Sequence, residues 1–69
     1  MDILQTAIDR VATVLFEEDM YEDHETAAEA ATDSHESLIV DEFKSMVEDE
    51  IITQEQADYW SNTSNWYKD

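Results

Sequence analysis

The 69-residue chain contains neither glycine nor proline, and this absence restricts how its backbone can turn. Tight β-hairpins rely on glycine at positions of positive φ, and phosphate-binding loops need it for close backbone approach. We therefore exclude glycine-rich phosphate loops and predict an all-α fold. A chain of this size buries only about 60% of the surface that its unfolded form exposes. We expect one small domain without a large catalytic cleft.

Two segments in the first half of the chain have helical patterns. Apolar residues at steps of three and four predict a helix over residues 2–18, with Asp2 as its N-cap. Its buried stripe is expected to contain Leu4, Ile8, Val11 and Leu15. An Ala- and Glu-rich segment predicts a second short helix over residues 23–32. Asp33-Ser34 predicts a break, since either residue can cap the next helix and Asp33 with Glu36 has the spacing of a capping box.

The second half of the chain predicts two further helices. The third covers residues 35–50, and its expected buried stripe is Leu38, Ile39, Phe43, Met46 and Val47. Thr53 and Gln56 match the capping-box pattern and place the start of the fourth helix at Thr53. We expect a small bundle of three to four short helices in residues 1–60, followed by a polar and aromatic tail, residues 61–69. The apolar spacing also allows helices of two chains to pair, so a homodimer is an alternative arrangement.

The charge of the chain indicates the sign of its partner. Nineteen acidic residues against three basic ones give a formal net charge of −16 and an isoelectric point near 4.1. Such a charge repels nucleic acid and anionic membranes but attracts a basic protein. The composition is also typical of disordered chains, although the periodic apolar residues favour a folded domain. Cysteine is absent, and no targeting or membrane-spanning pattern is visible, so we expect a cytoplasmic protein without disulfides.

Two histidine-containing pairs raise the question of a metal site. His24-Glu25 and His35-Glu36 each begin like the helix motif of zinc proteases, which has a second histidine four residues after the first. Those positions hold Ala28 and Ile39 instead. The acidic run from Glu17 onward lacks the glycine that an EF-hand calcium loop requires. We expect no metal, no cofactor and no enzymatic activity.

The carboxylates themselves are the strongest functional signal. On the predicted helices they lie on outward faces and at junctions, away from the apolar stripes, and three basic residues cannot offset their repulsion. The predicted partner-binding set is Asp9, Glu17, Glu18, Asp19, Glu22, Asp23, Glu25, Glu29, Asp33, Glu36, Asp41, Glu42, Glu48, Asp49 and Glu50. Because DNA is itself a dense array of negative charge, such a surface is expected to occupy the nucleic-acid site of a basic DNA- or RNA-binding protein.

In size, charge and lack of catalytic motifs, the chain resembles the small acidic DNA-mimic inhibitor proteins of phages and mobile elements. The resemblance is one of class and includes no matching motif. It implies a target among host nucleoid proteins, restriction or CRISPR components and DNA-repair enzymes. It also implies action in the cytoplasm of the host cell if the chain is phage-encoded.

Four large aromatic residues close to the C-terminus support a second hypothesis. Tyr59, Trp60, Trp66 and Tyr67 lie within nine residues, and they either complete a core or dimer interface or anchor a partner. In the latter case the chain would be a helical interaction module or regulatory subunit whose charge supplies solubility. Adaptation to high salt is a third explanation of the charge.

Overall fold

The computed structural model describes residues 2–18 and 21–66, and within these ranges the chain forms four α-helices and no β-strand. The helices are α1 (Ile3–Glu17), α2 (His24–Ser34), α3 (Glu36–Glu48) and α4 (Gln54–Ser61), followed by a 3₁₀ helix at Thr63–Asn65. α1 packs against α2 and α3, α2 also contacts α3, and α3 packs against α4. The prediction of an all-α bundle of short helices is confirmed.

α1 begins and ends close to where the sequence pattern places it. Asp2 is the N-cap, and its Oδ1 accepts a hydrogen bond from the backbone N–H of Gln5 at 3.0 Å. This bond satisfies one of the amides that the first helical turn leaves without a partner. The buried face consists of Ala7, Ile8, Val11, Ala12 and Leu15. Leu4, expected in this stripe, is only partly buried at its edge.

α2 packs closely because its buried face is made of alanine. Ala27 and Ala31 are both fully buried, and their small side chains let α2 approach its neighbours. The break predicted at Asp33-Ser34 occurs at His35, one residue further on, and the predicted cap by Asp33 does not form. α2 continues through Ser34, and His35 is both the C-cap of α2 and the N-cap of α3, with no side-chain capping bond to α3. The backbone hydrogen bonds of the Ala-rich helix stabilise it more than a capping bond from Asp33 would, so the helix continues past that residue.

α3 supplies the centre of the core. Ile39, Phe43 and Met46 are fully buried, and they are the largest side chains that are completely enclosed. Leu38, which the sequence pattern places in the buried stripe, is 42% exposed, so that expectation is wrong. Val47 is partly buried. At about 100° per residue, Leu38 lies far round the helix from Phe43, on a side that no neighbouring helix covers completely.

The turn from α3 to α4 compensates for the absence of glycine. The N–H of Ile51 donates to the carbonyl of Met46 at 2.9 Å, and the N–H of Glu50 donates to Val47 at 3.0 Å. These two bonds form a Schellman motif, whose left-handed position is usually glycine. Here Glu50 occupies it, with φ of 63°. Glu50 therefore has a left-handed backbone conformation that the Cβ of any residue other than glycine makes unfavourable.

α4 starts with the predicted capping box. The N–H of Gln56 donates to Thr53 Oγ1 at 3.1 Å, and the N–H of Thr53 donates to Gln56 Oε1 at 2.9 Å. Beyond α4 the chain folds back, and Trp66 enters the core with 7% of its surface exposed. Its ring meets that of Phe43 edge-on at 6.4 Å, and its Nε1 donates to the carbonyl of Trp60 at 2.7 Å. The first part of the predicted tail is thus packed against the bundle.

Candidate protein-binding surface

The acidic side chains of the described residues lie on the outside of the bundle. All of them are exposed except Glu42, which is half-buried, and no charged residue belongs to the core. The exposed members of the predicted partner-binding set are Asp9, Glu17, Glu18, Glu22, Asp23, Glu25, Glu29, Asp33, Glu36, Asp41, Glu48, Asp49 and Glu50. Asp19, the remaining member, lies outside the described residues. The core of the described residues therefore contains no carboxylate.

α2 presents the most regular part of this surface. Glu25, Glu29 and Asp33 follow one another at steps of four residues, and each step advances about 6 Å along a helix axis. They lie opposite Ala27 and Ala31, the residues that α2 buries. The helix contains no Lys or Arg that could pair with them. We call these three residues the α2 acidic row; their mutual repulsion is destabilising by a few tenths of a kcal/mol per pair, about 0.2–0.5.

Little of the acidic surface is neutralised within the molecule. Arg10 makes both ion pairs found in residues 2–18 and 21–66, at 3.5 Å to Glu42 and 3.6 Å to Asp49. It extends from α1 to Glu42 of α3 and to Asp49, the C-cap of α3, and so joins the two helices. Lys44 is exposed, and Lys68 lies outside the described residues. Most carboxylates consequently face solvent without a counter-charge.

Asp23 has a structural role in addition to its place on the acidic surface. As the N-cap of α2, its Oδ1 accepts a hydrogen bond from the backbone N–H of Thr26 at 2.7 Å. That bond, together with one from the Thr26 hydroxyl, stabilises the carboxylate and lowers the pKa of Asp23 below its ordinary value. The group stays ionised to more acidic pH than a free aspartate, and a substitution there disturbs the helix start as well as the charge.

The histidines do not assemble a metal site among the described residues. His24 Nε2 lies 3.1 Å from the hydroxyl of Thr13, so it links α2 to α1 through a side-chain hydrogen bond. His35 is half-buried at the junction between α2 and α3. No cluster of three or more His, Cys, Asp or Glu suited to a metal ion occurs in the part of the chain that the structure describes.

The C-terminal aromatic residues divide between the core and the surface. Trp66 is buried against Phe43, in agreement with the core alternative for that residue. Tyr59 is 47% exposed, and its ring meets the half-buried ring of Trp60 edge-on at 5.1 Å. Tyr67 lies outside the described residues. Of the predicted aromatic contact residues, Tyr59 is therefore the one with the most surface for a partner.

A groove between α1 and α3 is not predicted by the sequence pattern. It is open to solvent, has a volume of about 120 Å³, and is lined by Val11, Val14, Leu38, Asp41 and Glu42. Val14 is 48% exposed although it lies next to the buried stripe of α1, and Leu38 is 42% exposed although the sequence pattern places it in the stripe of α3. Plotting α3 around its helical axis would have revealed the error, because Leu38 falls on the side of Asp41 rather than with Phe43.

None of the helices in the described ranges is long and apolar enough to cross a membrane. No protein-family model, curated protein or solved structure matches the chain. Its function is therefore inferred from the charge and geometry of the surface described above.

Proposed function

We propose that this chain is an acidic DNA mimic that occupies the nucleic-acid-binding surface of a basic protein in the cytoplasm, in a host cell if the chain is phage-encoded. The target classes are a nucleoid protein, a restriction or CRISPR component, or a DNA-repair enzyme. The observation that supports the proposal is the exposure of nearly every described carboxylate on a folded bundle in which Arg10 alone makes ion pairs among those residues.

The density of charge is close to that of the ligand it would imitate. The longest dimension of the bundle is 35 Å, and the net charge is −16 over the whole chain. That corresponds to about one net negative charge for every 2 Å, whereas duplex DNA carries one for about every 1.7 Å of its axis. A basic surface adapted to DNA would therefore meet a similar charge along the 35 Å length of the bundle.

The positions of the carboxylates also support a role beyond solubility. The α2 acidic row places three like charges at steps of four residues, which weakens the helix that carries them. Glu50 occupies the left-handed position where glycine would be more favourable. Both features lower stability while they retain negative charge, as expected of a surface maintained for binding.

The proposal is tested by measuring binding to basic proteins captured on the tagged chain at low salt. The first variant neutralises the α2 acidic row with Glu25→Gln, Glu29→Gln and Asp33→Asn, and leaves the caps and the buried alanines unchanged. If each exposed charge pair contributes about 0.5 kcal/mol, the triple variant loses about 1.5 kcal/mol, or about tenfold in affinity. Affinity of the parent chain should also fall steeply as salt rises.

A matched control exchanges the acids at the same three positions, with Glu25→Asp, Glu29→Asp and Asp33→Glu. It keeps the charge while it changes side-chain length, so its affinity should stay within about twofold of the parent, since exposed surface pairs depend little on exact geometry. Equal affinity for the neutralised variant and this control, or binding that is insensitive to salt, would contradict DNA mimicry.

The exposed Tyr59 supports a second candidate, a helical interaction module or regulatory subunit that contacts its partner through the C-terminal aromatics. Partially exposed tyrosines are enriched at protein interfaces because they bury apolar area and retain a hydroxyl. In this case the parent chain would still bind its partner at high salt, and Tyr59→Ala would abolish that binding. Neutralisation of the α2 acidic row would have no effect. The two candidates therefore give opposite results with the same pair of variants.

A further inference from the structure

The groove between α1 and α3 is a concave part of the surface in which exposed aliphatic side chains and carboxylates lie together. Val14 and Leu38 are 48% and 42% exposed, and they lie beside the carboxylates of Asp41 and Glu42. The groove volume of about 120 Å³ is well below the roughly 300–1,000 Å³ of small-molecule sites. Its size suits a single side chain of a partner rather than a substrate or cofactor.

The two carboxylates at the groove are not equivalent. Glu42 is half-buried and pairs with Arg10 at 3.5 Å, so its charge is already partly compensated. Asp41 is exposed, and within residues 2–18 and 21–66 it takes part in no side-chain hydrogen bond or ion pair. The groove thus combines an apolar floor with one carboxylate that is available to an incoming cation.

Arginine matches this combination better than the other side chains. Its three methylene groups can cover Val14 and Leu38, while its guanidinium reaches the carboxylate of Asp41 with two parallel hydrogen bonds. Lysine carries a more strongly hydrated point charge, which is less suited to a position beside aliphatic groups. A neutral apolar side chain would desolvate Asp41 without pairing it. A second copy of this chain would bring two surfaces of charge −16 together.

We propose that the α1–α3 groove binds an arginine side chain of the basic partner, an inference that rests on the proposed function and adds a specific anchor to it. The surrounding carboxylates then attract the partner over a distance, and the groove selects an arginine at the point of contact. The anchor explains how a chain that imitates a uniform array of phosphates distinguishes one basic surface from another.

The direct test is a titration of the full chain, labelled with ¹³C at its methyl groups, with hexa-arginine and hexa-lysine peptides. The Val14 and Leu38 methyl resonances should shift most with the arginine peptide, and Leu38 should show NOEs to the arginine methylene protons. Ile51 is a reference within the molecule, because it is 40% exposed but does not line the groove. Shifts at Val14 and Leu38 no larger than those at Ile51 would overturn the inference.

Two matched pairs of variants test the same groove through affinity for the arginine peptide. Asp41→Asn and Glu29→Gln each remove one exposed charge, but only the first lies at the groove. A charged hydrogen-bond partner predicts about a tenfold loss for Asp41→Asn, against about twofold for Glu29→Gln. Leu38→Ala should weaken binding more than Phe16→Ala. Phe16 is an apolar side chain of similar exposure, but it lies on the side of α1 opposite Val14 and so outside the groove.

The failure of this inference is distinguishable from failure of the proposed function. The chain could displace DNA from a basic protein while Leu38→Ala and Phe16→Ala weaken binding equally. That result overturns the groove inference and leaves mimicry intact. A groove response to the arginine peptide without displacement of DNA from any captured protein overturns the mimicry instead. Shifts at Val14 and Leu38 that depend on protein concentration in the absence of peptide would identify a second copy as the occupant and overturn the arginine assignment.

Discussion

Glu50→Gly should make the protein more stable although it removes a side chain and adds no contact. The residue has φ of 63° in the Schellman motif that ends α3. For a residue with a Cβ, this left-handed conformation costs about 1–2 kcal/mol. Glycine adopts it freely but loses about 0.5–1 kcal/mol more conformational entropy on folding. The balance is a gain of about 1 kcal/mol, and for a domain of this size that raises the Tm by about 4–8 °C.

The control for this prediction separates the backbone effect from the effect of charge. Glu50→Gln removes the same negative charge but keeps the Cβ, so it retains the unfavourable conformation. Thermal and urea unfolding, followed by circular dichroism, should place Glu50→Gly clearly above Glu50→Gln in stability. If the two variants unfold at the same temperature, Glu50 is not strained, and its position gives no support for a carboxylate retained at the expense of stability.

Three further predictions concern the core, the cap and the surface charge. Trp66→Ala should lower the free energy of unfolding by about 3–5 kcal/mol in urea denaturation, because a buried indole against Phe43 is lost; a loss below about 1 kcal/mol would show that the end of the chain is not part of the core. The lowered pKa of Asp23 means that its cap stabilises α2 fully above the pKa it has in the unfolded chain and loses this contribution as pH falls through the folded pKa. Asp23→Asn keeps a capping side chain, so the Tm of the parent should fall relative to this variant on acidification, and parallel pH profiles would contradict the assignment. Arg10→Gln should lower the Tm, and the difference from the parent should shrink between about 0.01 and 1 M NaCl, as the Debye length falls from about 30 to 3 Å; a difference that is independent of salt would mean that Arg10 acts through packing.

The N-terminal starts of α1 and α4 could be predicted because a capping signal and the apolar pattern agree there. Asp2 precedes a regular apolar stripe and caps it, and Thr53 with Gln56 forms the capping box that the sequence indicates. Where the signals compete, the boundary is displaced. The capping pattern places a break at Asp33-Ser34, but α2, which is rich in helix-forming alanine, continues through Ser34 and the break lies at His35.

The groove could not be derived from the sequence because it depends on how completely α1 and α3 cover each other. Val14 and Leu38 are apolar and lie next to buried positions, so a one-dimensional pattern assigns them to the core. The position of Leu38 on the Asp41 side of α3 can be read from the sequence, but only the packing of α1 against α3 shows that a groove remains between the two helices. The acidic surface, in contrast, follows directly from composition, since a core this small cannot hold unpaired carboxylates.

The return of Trp66 to the core is an intermediate case. The sequence identifies the residue as unusual for a polar tail but offers both a core role and a partner role. Its burial depends on the hydrogen bond from Nε1 to the Trp60 carbonyl and on the space beside Phe43. Both are properties of the folded bundle, so the local sequence pattern does not predict them.

The measurement that tests DNA mimicry most directly is fluorescence anisotropy of labelled duplex DNA bound to a basic protein that the chain captures. Adding the parent chain should release the DNA and lower the anisotropy at low salt, with the chain and the DNA competing for one site. The variant with Glu25→Gln, Glu29→Gln and Asp33→Asn should require about tenfold more protein for the same release. A ternary complex, in which the captured protein holds the chain and the DNA together, would contradict the proposal.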